Sequence, residues 1–102
     1  MTSSIEELIS RLNLETGKLS WAEAERFFAK GLMVNVAPEL DLMEVAAAMA
    51  LDNKTAFTQW MEAGLVARAE SEDAVRWHSN QAEFWAVVVA PWVVVQEIGT
   101  EN

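Results

Sequence analysis

Histidine, cysteine and paired carboxylates are the side chains that most often carry chemistry, and this chain is sparing with them. His78 is the only histidine and there is no cysteine. A general base needs a hydrogen-bonded partner and a pocket. Ser79 is the neighbour of His78 in sequence, but adjacent helix residues point apart. A half-buried histidine on a helix face is therefore expected. A zinc site takes three or four ligands, and one histidine with no cysteine and no His-x-x-x-His spacing makes one remote. Without cysteine there is also no disulfide and no redox motif.

The sixteen acids could in principle hold magnesium or form a catalytic carboxylate pair. Glu72 with Asp73, and Glu39 with Asp41, are the closest candidates. Each pair precedes or opens a helical pattern, where acids cap orphan N–H groups and complement the dipole. That reading is preferred. Gly17, Gly31 and Gly64 each follow a helical run, as C-caps do and phosphate loops do not. No G-x-S-x-G elbow is present, so no serine has the context of a nucleophile. The expectation is a protein that is not an enzyme and takes no cofactor and no metal.

The elements that would position these side chains follow from spacing. Ser3 and Ser4 each have a glutamate three residues on, and Ile5, Leu8, Ile9 and Leu12 form a helical stripe, so an amphipathic N-terminal helix is expected with Gly17 as its stop. Ser20 and Glu23 make the next capping box. Trp21, Ala24, Phe27 and Phe28 face inward over residues 21–30. Residues 32–36, LMVNV, read as a buried strand ended by Ala37-Pro38.

Residues 41–70, DLMEVAAAMALDNKTAFTQWMEAGLVARAE, are the stretch around which the rest is arranged. Asp41 caps a helix whose inward face is Leu42, Val45, Ala46 and Met49. Asp52-Asn53 turns the chain. A second helix places Ala56, Phe57, Trp60 and Met61 inward and stops at Gly64. A strand over residues 65–69 follows. Helix, short turn, helix and strand make the helix-turn-helix pattern, and the run resembles the middle of a winged-helix domain. The fold expected is α+β and winged-helix-like, helix-strand-helix-turn-helix-strand-strand. It carries an extra N-terminal helix and a short helix over residues 71–80, within a single domain spanning 1–102. That short helix places Ala74, Trp77 and His78 on one side, and departs from the hairpin that joins the last two strands of the simplest winged helix.

Residues 84–95, FWAVVVAPWVVV, favour strand through their valines and aromatics. Pro91 marks either a bulge in one strand or a break between two. Alternation puts Phe84, Ala86, Val88 and Ala90 on one face and Trp85, Val87 and Val89 on the other, so both faces are apolar. The second face needs a cover, either from the chain's own helices or from a second copy. The expectation leans to a homodimer through Phe84, Trp85, Val87, Val89, Trp92 and Val94.

Across its length the chain also resembles a family of small uncharacterised bacterial proteins of about this size. The likeness is carried by LNLETGKLSWAEAERFFAKG at 12–31, EVAAAMALDN at 44–53 and WAVVVAPWVVVQE at 85–97. That family has no assigned activity, so the resemblance implies no site residues.

The formal charge of −9 argues against polyanionic partners, because Lys and Arg supply most affinity for phosphates. A DNA-binding regulator is the alternative reading, with Thr55, Thr58 and Gln59 of the helix at 53–63 toward the bases. Residues 39–63, however, hold Glu39, Asp41, Glu44, Asp52 and Glu62 against Lys54 alone, a net of −4. Acidity likewise disfavours an anionic membrane surface. The start of the chain lacks the basic and apolar pattern of a signal peptide, which leads to the expectation of a cytoplasmic protein. The function expected is a small protein-interaction or self-association module.

Overall fold

The computed structural model describes residues 16–98. The order is β1 (Gly17–Ser20), α1 (Trp21–Ala29), β2 (Met33–Val36), α2 (Leu42–Ala50), α3 (Lys54–Glu62), β3 (Val66–Arg68), α4 (Ser71–Asn80), β4 (Glu83–Val89) and β5 (Trp92–Glu97). The expected N-terminal helix, with Ile5, Leu8, Ile9 and Leu12, lies outside the described residues.

Local chemistry places most of these boundaries. The Ser20 hydroxyl accepts from the Glu23 N–H at 3.2 Å, and the Glu23 carboxylate accepts from the Ser20 N–H at 3.0 Å. This reciprocal pair fixes the start of α1. Asp41 caps α2 through the Met43 N–H at 3.0 Å, and Asn53 caps α3 through the Ala56 N–H at 3.2 Å. Gly31 and Gly64, at φ of 73° and 78°, end α1 and α3 in the left-handed region that glycine enters freely. For α4 the capping residue is Glu70, whose N–H donates to Asp73 Oδ2 at 3.0 Å.

The five strands form one mixed sheet in the order β1-β4-β5-β2-β3. β4 and β5 are an antiparallel hairpin that turns at Ala90-Pro91, so the valine-rich run is two strands rather than one. β5 runs parallel to β2, and β3 closes that edge antiparallel to β2. β1 pairs with β4, Gly17 opposite Ala86 and Leu19 opposite Phe84.

The class is α+β as expected, but the winged-helix arrangement is not what forms. β3 does not turn back into its successor, because the ten residues of α4 intervene. The hairpin lies between β4 and β5 instead, and Gly17, expected as a helix stop, opens a fifth strand. The cause is the apolarity of both faces of β4 and β5. A strand with two apolar faces belongs inside a sheet with cover on each side. One cluster, on the α1 and α4 side, holds Trp21, Ala24, Met33, Trp77, Phe84, Val93 and Val95. The other, on the α2 and α3 side, holds Val34, Val36, Val45, Ala46, Val66, Val87 and Val94. Alternate residues of each central strand feed opposite clusters, as the period of two requires. The small residues Ala46, Ala47 and Ala48 are buried and let α2 sit close to the sheet.

Candidate functional site

α3 differs from the other helices in having no buried residue. Ala56, Phe57 and Trp60 are half-buried, and Phe57 and Trp60 pack on the cluster beneath α2. The next strip around the same helix is Lys54, Phe57, Thr58 and Met61, at i, i+3, i+4 and i+7. Apart from Phe57, this strip is exposed and overhangs the sheet. Met61 was expected inward and is instead 49% exposed.

The overhang leaves a groove of about 520 Å³ between the α2–α3 pair and one end of the sheet. Ala48 and Met49 of α2 and the α3 strip form its walls, with Asp52 and Asn53 at the turn. Its floor comes from the starts of β2 and β5, the end of β4 and the end of β3, with Val34, Val89, Trp92 and Arg68 prominent. Register explains the floor: Val34 lies opposite both Arg68 and Val94. Side chains of Val34, Val66 and Val94 feed the cluster under α2, so Arg68, two residues from Val66 on β3, stands on that same face.

Arg68 is held in place. One guanidinium nitrogen donates to the Gly31 carbonyl at 2.9 Å, and its carbon stands 5.6 Å from the Trp92 ring centroid. Neither Arg68 nor Lys54 meets a carboxylate among the described residues, where the ion pairs run from Arg76 to Asp73 and to Glu97. The groove therefore combines apolar walls, two methionines and two cations that meet no carboxylate among the described residues. Its one acidic lining residue among those described is Asp52. Methionine walls adapt to different occupants because the side chain is unbranched and polarizable.

The six residues expected at a dimer interface divide into two groups. Phe84, Val87 and Val94 are fully buried in the chain's own core. A second copy could reach them only by withdrawing side chains whose burial is worth about 1.5–3 kcal/mol each. For these three the covers are intramolecular: Phe84 meets the edge of Trp77 at 5.0 Å under α4, and Val87 and Val94 lie in the cluster under α2. Val89 and Trp92 are half-buried and line the groove. Trp85, 42% exposed, lies apart from them in a shallow dip with Thr16, Asp41, Met43 and Gln96.

The residues weighed for chemistry are not brought together. His78 is exposed rather than half-buried. Asp41 and Asp73 act as helix caps. No cluster of three or more potential metal ligands occurs among the described residues. None of their helices is long and apolar enough to cross a membrane. Arg68 is the residue that spacing could not find, since its place over the groove depends on the pairing of β3 with β2. The strip on α3, in contrast, is visible as a repeat of positions 54, 57, 58 and 61 once α3 is known to overhang.

Comparison with known proteins adds kinship without an activity. A family model described as "Protein of unknown function (DUF2288)" matches residues 7–97. The chain belongs to this family. A solved relative, the NMR solution structure of PA1075 from Pseudomonas aeruginosa, shares 36% identity with this DUF2288 chain. The match covers 98% of this chain and 90% of that one, with a TM-score of 0.81. The α+β architecture is thus common to both, and the small bacterial family that the sequence resembles is of this kind. No match was found among curated proteins.

Proposed function

We propose that this DUF2288 protein is a small interaction module without catalytic activity. Its binding surface is the groove between the α2–α3 pair and the sheet. One observation carries the reading: Phe57, Met61, Met49 and Trp92 form an open apolar trough beside two cations that meet no carboxylate among the described residues. Apolar clefts with a few placed polar groups are where proteins usually bind, and aromatic side chains are favoured at the centres of protein interfaces. Val89 and Trp92, two of the residues expected to mediate association, lie in this groove.

DNA binding has one feature in its favour, the helical pair with Thr55 and Gln59 exposed on α3. The charge of residues 39–63 opposes it, and Thr58 points into the groove instead of away from it. Fold likeness alone does not carry function, so association is preferred.

The test is a photo-reactive amino acid placed at Met61, on the groove, or at Val75, exposed on α4. Illumination in the native host should join a defined protein, or a second copy, to the Met61 position and not to Val75. Identical products from both positions would remove the groove as the binding surface.

A further inference from the structure

We infer that the groove takes an amphipathic helix of a partner protein with acidic residues flanking its apolar face. This rests on the reading of the groove as a binding surface and adds the chemistry of its occupant. Charge complementarity is the argument. The whole molecule carries −9, so most of its surface repels acidic segments. The groove reverses that sign locally, with Lys54 and Arg68 against Asp52 alone among its described lining residues. The two cations are also available. Arg68 spends one guanidinium nitrogen on the Gly31 carbonyl and a face on Trp92, which holds the group while leaving further N–H donors for a carboxylate. At physiological salt, charges beyond about 8 Å are screened. Within the groove lining the balance is two cations to one carboxylate.

The shape points to a helix. From Lys54 to Met61 the wall spans about two turns, roughly 10 Å. It faces Met49 and the Val34–Trp92 floor across the trough. Two or three apolar side chains at i, i+3 and i+4 of an incoming helix match that length, in the helix-in-groove mode. The two methionines supply walls that can repack around it.

The test uses the full chain with carbon-13 methionine methyls in 150 mM salt. The probe is a 14-residue peptide with leucines at i, i+3, i+4 and i+7 and glutamates at both ends. Two controls replace the glutamates by lysine, or the leucines by serine. The acidic peptide should shift the Met49 and Met61 methyls and leave Met33, buried in the opposite cluster, unmoved. The lysine version should bind at least tenfold more weakly, and Lys54→Glu should narrow or invert that preference. Equal affinity for both charges would overturn the inference while leaving the groove a binding surface. If no peptide of either charge moves the two methyls, the binding reading itself fails. Dilution-dependent Met61 shifts without peptide would show a second copy as occupant. Broadening of the Met61 methyl by a spin label at position 3 would show the chain's own start there. Either overturns the acidic-partner proposal.

Discussion

Gln96 shows how much one side chain can organise. Its amide nitrogen donates to the carbonyls of Ala37 at 2.8 Å and Leu40 at 2.7 Å. These tie the β2–α2 connection to β5 and set the angle at which α2 enters the fold. In Gln96→Leu the half-buried Leu40 carbonyl loses its donor, while the Ala37 carbonyl keeps the Leu40 N–H at 3.1 Å, and one such orphan costs about 1–3 kcal/mol. Urea unfolding should show a loss in that range, with an unchanged slope. The indoles illustrate the same principle. Trp77 Nε1 donates to Glu97 at 3.1 Å, whereas the buried Trp21 Nε1 has no partner among the described residues. Trp21 is kept for its rings, which meet Phe28 and Trp77 at 5.7 Å each.

At the scale of elements, the parts fixed by short-range chemistry were legible in the sequence. Ser20 with Glu23, Asp41, Asn53, Gly31 and Gly64 mark helix ends through bonds reaching no more than a few residues. α1 to α3 accordingly start and stop close to where these residues predict. β1 was not legible. Its four residues, GKLS, carry almost no apolar pattern, and the strand exists because β4 offers an edge more than sixty residues away. The order of the sheet was hidden for the same reason: alternation shows that β4 and β5 have two apolar faces, but not which helices cover them. The groove sits at the same boundary, since its α3 wall is a local pattern and Arg68 arrives by long-range pairing. Gly31 couples the two kinds of information. At φ 73° a side chain is strained, and a β-carbon there would lie 3.0 Å from Arg68 Nη2. Gly31→Ala should lower stability by about 1–2 kcal/mol from the left-handed backbone alone, measured by thermal or urea unfolding. It should also displace the guanidinium that borders the groove. Gly64→Ala, with open space around its position, should show the backbone cost and leave Arg68 in place.

For the whole molecule, the sheet is covered by helices on both sides, and that removes the strongest reason to invoke a second copy. Among the described residues, Met61 is exposed in the groove beside the half-buried Phe57, Val89 and Trp92, and Leu51, Val75, Trp85 and Val88 are exposed outside it. Single exposed apolar residues are ordinary on protein surfaces, while contiguous ones mark interaction sites. On the proposed reading the trough beside Lys54 and Arg68 holds a partner, and it has to be open in solution for that to be so. Anilinonaphthalene sulfonate, an apolar anion, measures this directly when titrated into the native full-length protein. One dye should bind per chain, shift the Met49 and Met61 methyls, and be lost in the folded Met61→Glu variant. A native protein that binds no dye, or binds it equally well after Met61→Glu, would contradict it.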